Sequence, residues 1–357
     1  MHLVRSPQVV WVVALLTLVV GCAAPPVQMS PVATVAPTLT AVAPTPTRTP
    51  VRVASTPPTR TPTPARPTRT AAPTVTPTVT PAATPAPVPA APPPVVPMPA
   101  PTEHPHPFVP DAALAAILDD VLGDDRPWYG VYVKRLTDNS GASVNQDQVF
   151  RTASVFKLYV MWEAVRQESL DVLSFDQEME VTPYYEAFEM GTHRVAAGDL
   201  VTVGEALRLM MSVSDTPTAV LLQDTIGWRN INASMRALGI GDSGLFYPES
   251  GPLATARDLG VLLEAIEGGE VQTPEAQALM RSLLLSETVD NGLRAGVPAD
   301  VAVAHKTGLL PDLRHDAGVV YLKGSPYVIV VLSEREASTN HIPAIARAVY
   351  EHYAAGN

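Results

Sequence analysis

Apolar residues recur at helical spacing from Ala112 to Leu122, behind Pro110-Asp111 and ahead of Gly123, which predicts a capped helix ending near that glycine. Tyr129 to Leu136 is rich in Val and Tyr and reads as a strand. Asp138-Asn139-Ser140-Gly141 supplies the turn of a hairpin leading toward Val149-Phe150. From Ser154 to about Leu285 the period becomes helical, with segments over Ser154–Gln167, Val203–Val213, Pro217–Asp224, Thr255–Glu267 and Pro274–Leu284. Strand character returns at Val301–His305, Ala317–Leu322 and Tyr327–Leu332. An amphipathic helix with Pro343 in its first turn closes the pattern over His341–Tyr353. Strands at both ends with helices between predict an α/β chain of the α+β type. Its sheet is assembled from both termini, with a mostly helical region inserted. Hairpins such as Lys323-Gly324-Ser325 make that sheet largely antiparallel.

The first 107 residues follow different rules. Residues 1–22 read as an export signal, with Arg5 ahead of an apolar run from Val9 to Val20 that is shorter than the ~20 residues of a membrane span. The run ends at Gly21-Cys22, and this only cysteine resembles a bacterial lipoprotein processing site, although Val19 stands where Leu is usual. The resemblance implies lipidation of Cys22 and a lipid anchor on the extracytoplasmic side of the cell membrane. An ordinary cleaved signal or an uncleaved anchor are the alternatives. Residues 23–107 hold 26 of the 38 prolines, mixed with Thr, Ala and Val, and lack apolar periodicity. Such a stretch is expected to be a linker without a core, extending about 3.1 Å per residue. Its five arginines make it basic.

The remaining residues, 108–357, suffice for one domain. That domain carries 34 acids against 18 Lys and Arg, a balance that favours solubility and argues against nucleic acid as a partner. A single cysteine allows no internal disulfide. The domain is expected to be a monomer.

Only four lysines occur, so their placement is informative: Lys134, Lys157, Lys306 and Lys323. Ser154-Val155-Phe156-Lys157 is the one case of a serine three residues before a lysine. At a helix start, this spacing puts hydroxyl and amine on one face. A serine is a weak nucleophile until a neighbouring base takes its proton, and burial with nearby positive charge lowers a lysine enough to do so. Ser212-Val213-Ser214-Asp215-Thr216 follows an apolar helix, and His305-Lys306-Thr307-Gly308 closes a strand.

Taken in order, Ser154-x-x-Lys157, Ser214-Asp215-Thr216 and Lys306-Thr307-Gly308 resemble the signature of class A β-lactamases and related penicillin-binding serine enzymes. Further similar segments are Phe150–Lys157, Val203–Leu207, Ala256–Leu259 and Arg294–Pro298. The resemblance spans nearly all of residues 110–355. It implies that Ser154 attacks the carbonyl of a β-lactam or of an acyl-D-alanine peptidoglycan stem peptide. Lys157 exchanges protons with Ser154, and Ser214 relays one toward the leaving nitrogen. Lys306 and Thr307 bind the substrate carboxylate, and Gly308 leaves room for it. The N–H groups of Ser154 and Leu309 form the oxyanion hole. No cofactor is implied.

Two departures bear on these expectations. Thr216 stands where the family has Asn, and its hydroxyl replaces only part of that amide's bonding. Glu249, 35 residues after Ser214, is near the interval of the family's deacylating base, but Leu253 occupies the position of an Asn that helps hold the hydrolytic water. Glu249 is therefore either that base or an exposed loop acid. β-Lactam hydrolysis is the leading expectation. A D-Ala-D-Ala carboxypeptidase or related wall-processing hydrolase, and a penicillin-binding or sensor module without turnover, are the alternatives.

Other residues carry weaker signals. Gly241-Asp242-Ser243-Gly244 imitates a trypsin-like nucleophile segment in a region that reads as helical. Arg314 lies within reach of a substrate carboxylate, with a surface salt bridge as its default role. Tyr184 and Tyr185 are read as packing residues near the cleft. The eight histidines show no metal-ligand spacing.

Overall fold

The computed structural model describes Val96 and residues 108–190, 194–246, 251–268, 273–334 and 340–356. The expected signal segment with Cys22, the expected linker apart from Val96, and Glu249 lie outside the described residues. Val96 itself is buried, with its N–H 3.4 Å from Asn230 Oδ1.

Strand β1 (Val109–Pro110) leads into helix α1 (Ala112–Leu122), which Asp111 caps by accepting the Leu114 N–H at 3.0 Å. A 3-10 segment precedes β2 (Tyr129–Arg135) and β3 (Ser140–Val144). Short β4 (Phe150–Arg151) is followed by a 3-10 turn, Ala153–Phe156, and then by α2 (Lys157–Ser169). Next come β5 (Glu178–Glu180), α3 (Pro183–Glu186), β6 (Leu200–Thr202), α4 (Val203–Ser212), α5 (Thr216–Ile226) and α6 (Trp228–Ala237). Strands β7 (Gly244–Phe246) and β8 (Gly251–Ala254) lie before α7 (Ala256–Gly268) and α8 (Pro274–Leu285). The one-turn α9 (Leu293–Gly296), β9 (Val303–Leu310), β10 (Leu313–Val320), β11 (Tyr327–Ser333) and α10 (Ile342–Ala355) follow.

Six strands form the main sheet in the order β1-β3-β2-β11-β10-β9, so N-terminal and C-terminal strands meet at the β2–β11 pair. Every neighbouring pair is antiparallel except β1 with β3. The expected sheet from both termini is therefore present. Leu114, Leu118 and Leu122 of α1 pack on one face with Ile345, Val349 and Tyr353 of α10. The other face sets Tyr132, Val328, Val330 and Val319 against the helical region. Period-2 strands buried on both faces explain why β2 and β11 read as near-continuous apolar runs.

Several elements differ from the sequence pattern. The third motif does not close a strand: β9 continues to Leu310, pairs with β10 along its length, and turns only at Pro311-Asp312. Polar Lys306 and Thr307 interrupt the apolar run but are buried. The helix expected from Ser154 begins with a 3-10 turn, and its α-helical part starts at Lys157. Helix α6 and two small sheets, β4-β8-β7 and β5-β6, had no clear periodic signal. Among the described residues no helix is long and apolar enough to cross a membrane.

Helix α2 is the axis of the helical region, buried at every position from Lys157 to Gln167. Glu163, Arg166 and Gln167 on it satisfy one another. Arg166 Nε donates to Glu163 Oε2 at 2.8 Å, and Gln167 Nε2 donates to Glu163 Oε1 at 2.7 Å. Truncating Glu163 leaves a buried guanidinium without its carboxylate. Glu163→Ala is expected to cost about 3–5 kcal/mol of stability in urea or thermal unfolding.

Candidate active site

Ser154 lies in the 3-10 turn between β4 and α2, one residue after Ala153, whose φ of 43° is left-handed. A residue with a Cβ in this conformation is strained and is held by its surroundings. Those surroundings include β8, where the Thr152 N–H donates to Pro252 O at 3.2 Å, and β9, where Gly308 faces the turn. A Cβ added at Gly308 would stand 2.9 Å from Thr152 O and 3.3 Å from Ser154 N. Glycine is thus required for close backbone approach. It brings together the two segments carrying the Ser154 and Leu309 amides, the expected oxyanion donors.

Lys157 begins α2 and is fully buried. Its Nζ lies 3.1 Å from Ser154 Oγ, 2.6 Å from Ser214 O, 3.1 Å from Ser214 Oγ and 3.3 Å from Thr216 Oγ1. Burial, assisted by the positive charge of Lys306, pulls this lysine down to about 7, against Asp215, Glu287 and Glu189. A neutral amine at that position can accept the Ser154 proton. Ser214 occupies the turn between α4 and α5 with a left-handed φ of 58°, which aims both its carbonyl and its hydroxyl at the lysine. Asp215 holds that turn by capping α5, accepting the Thr218 N–H at 2.8 Å and its hydroxyl at 2.7 Å. Thr216 retains part of the family asparagine's bonding through its contact with Lys157.

Lys306 is also buried, but it does not line the cleft. Its ammonium is paired with Glu287, a fully buried acid just beyond α8. Glu287 also accepts the Thr307 hydroxyl at 3.3 Å. Burial lowers Lys306 and Glu287 opposes that fall. The resemblance implies that Lys306 meets the substrate carboxylate; in this structure its ammonium is engaged by a carboxylate of the protein. Glu287 was not legible in the sequence: it belongs to no motif, and its pairing across 19 residues arises only because α8 ends beside β9.

The cleft has a volume of about 370 Å³ and is lined by Ser154, Ser214, Thr216, Thr307, Gly308 and Leu309, together with Glu189, Arg194 and Arg314. Arg314 forms no ion pair among the described residues, and its Nε is buried without a hydrogen-bond partner. The surface salt bridge read for it is instead made by its neighbour Asp312 with Arg151. Tyr184 and Tyr185 stack edge to face away from the cleft lining. Ser243 is a buried turn residue that accepts the Thr255 N–H at 2.9 Å. Leu253, on β8, pairs with Arg151 beside the nucleophile turn. No group of three or more His, Cys, Asp or Glu converges as a metal site among the described residues.

A serine whose hydroxyl touches a desolvated lysine, with a second serine on the same amine, defines a serine acyl-transfer centre. The chain belongs to the Beta-lactamase enzyme family, whose model matches residues 113–353. It is 29% identical over 225 residues to Beta-lactamase FAR-1 of Nocardia farcinica (strain IFM 10152), covering 58% of this chain and 70% of that one. It is 30% identical over 212 residues to Beta-lactamase AST-1 of Nocardia asteroides, covering 53% and 66%. Among solved structures, PBP-A matches with a TM-score of 0.65 at 21% identity, over 72% of this chain and 99% of that one. A point mutant of PBP-A, solved as an acyl-enzyme complex with penicillin G, matches with the same TM-score. The fold is that of the β-lactamases and penicillin-binding proteins, and the protein is a serine hydrolase of this family.

His315 ties the nucleophile turn to the sheet. Its Nδ1 accepts the Ser333 N–H at 3.0 Å, so Nε2 carries the proton and donates to Arg151 O at 2.7 Å. Burial holds this imidazole neutral, down to about 4. Between that value and the ordinary 6.5 the unfolded chain binds more protons than the folded one, so stability falls as pH drops through this window. His315→Gln is expected to flatten this acid limb by roughly 3 kcal/mol, measured as the change in unfolding free energy from pH 7 to 4.

Proposed function

We propose that this protein hydrolyses β-lactams through an acyl-enzyme on Ser154. The contact between Lys157 Nζ and Ser154 Oγ, with the amine drawn down to about 7, carries this reading. The free amine takes the hydroxyl proton as Oγ bonds to the lactam carbonyl carbon. The carbonyl oxygen becomes an oxyanion against the Ser154 and Leu309 amides. Ser214, hydrogen-bonded to the same amine, passes a proton to the lactam nitrogen as the C–N bond breaks. Water activated by Glu249 then attacks the acyl carbon, releasing the acid and restoring Ser154. Family membership and the penicillin acyl-enzyme of a PBP-A mutant support β-lactams as acyl donors.

A second reading, acylation by penicillins or D-alanyl peptides with slow or no release, is favoured by Leu253. An apolar side chain stands on β8 where the family places an amide that helps hold water. In either reading the domain works outside the cytoplasm, tethered through Cys22 by the proline-rich segment.

Nitrocefin turnover and intact mass decide between them. Hydrolysis by the wild type is expected to be lost in Ser154→Ala without adduct, and in Glu249→Gln with a persistent one-to-one adduct. A wild-type adduct without turnover selects the second reading. Lys157→Met is expected to slow acylation by about 10²–10⁴-fold. Because the free amine is the active form, the wild-type acylation rate is expected to rise with pH through about 7 and level off above it. A flat profile from pH 5 to 9 contradicts Lys157 as the base.

A further inference from the structure

The Glu287 carboxylate is saturated by the residues around it. One oxygen, Oε2, receives the Lys306 ammonium, the Thr307 N–H at 3.4 Å and the Thr307 hydroxyl at 3.3 Å. The other, Oε1, receives the N–H groups of Thr288 at 3.1 Å and Val289 at 3.2 Å. Neither side chain of the ion pair is exposed to solvent, so water and salt do little to screen the two charges. Lys306 and the Thr307 hydroxyl are the donors that the family resemblance reserves for the carboxylate of the substrate. In this chain, a carboxylate of the protein already holds them.

We propose that Glu287 is a specificity-determining residue that fills the Lys306–Thr307 anion site from within. Substrate carboxylates thereby lose their advantage there, and acyl donors uncharged at that position are accepted on comparable terms. This rests on the acyl-serine reading of Ser154. An incoming carboxylate meets a second negative charge on the same donors and a lysine already compensated. A neutral ester or amide meets no such repulsion. Thr307 lines the cleft beside Ser154, so this contest takes place at the reacting end of the substrate. The cleft also presents Arg194 and Arg314, which could attract an anion independently of Lys306, and the test must separate them.

The experiment compares acylation of Ser154 by benzylpenicillin and by its methyl ester, followed by stopped flow and intact mass, in wild type, Glu287→Gln and the double variant Arg194→Gln/Arg314→Gln. The acid-to-ester rate ratio is expected to rise about tenfold or more in Glu287→Gln, the change of a single charge interaction. A folded Glu287→Gln protein whose ratio stays within about twofold of wild type overturns the proposal. If Glu287→Gln does not fold, the Arg194→Gln/Arg314→Gln variant decides. Without those guanidiniums, a ratio near one supports the block by Glu287, and a ratio still above about ten overturns it. Absence of any Ser154 adduct with either compound in the wild type is a separate result: it refutes the acyl-serine reading, and this inference with it.

Discussion

The site depends on keeping one amine out of water. A hydrated lysine stays protonated far above neutral pH and cannot act as a base for Ser154. Lys157 escapes this because it starts a helix buried on every side, and the groups reaching its amine are two hydroxyls, a carbonyl and a threonine oxygen. None of these is charged, so desolvation prevails over compensation. The acids that oppose it act from further away. Two left-handed residues, Ala153 and Ser214, hold the oxygens in place, each at a conformational cost of about 1–3 kcal/mol.

That strain is held by the sheet. Gly308 allows β9 to press against the nucleophile turn, and His315 on β10 bonds simultaneously to Arg151 and to β11. Nucleophile, oxyanion donors and cleft wall are therefore parts of one hydrogen-bonded body. The same sheet seats Asp316, which accepts the Leu293 N–H at 2.8 Å and pairs with His305 at 2.9 Å. A Cβ at Gly292 would lie 2.1 Å from that carboxylate, so glycine is required there for the cleft lining to reach the sheet.

The two motif lysines are both drawn down by burial but have different partners. Lys157 is surrounded by neutral oxygens, whereas Lys306 faces Glu287 directly, which opposes the fall. Not every polar group lining the cleft is satisfied by the protein. Arg314, whose Nε has no partner, is the clearest exception among the described residues.

Much of this was legible along the chain. Alternating and helical periods identified the sheet from both termini, the inserted helices and the capping of α1. The order of three short motifs pointed to Ser154, Ser214 and Thr307, which line one cleft, and to Lys157, buried behind Ser154 and Ser214. These features are local or follow from pattern, because burial of a face imposes a period and a helix start imposes a spacing. What only the tertiary structure decided depends on partners distant in sequence. The continuation of β9 through polar Lys306 and Thr307 follows from pairing with β10. The neutral state of His315 follows from its burial in the sheet, and its tautomer from a backbone amide on β11. The pairing of Lys306 with Glu287 follows from the place where α8 ends. A buried charge is settled by whichever group the fold sets beside it, and no spacing in the chain records that choice.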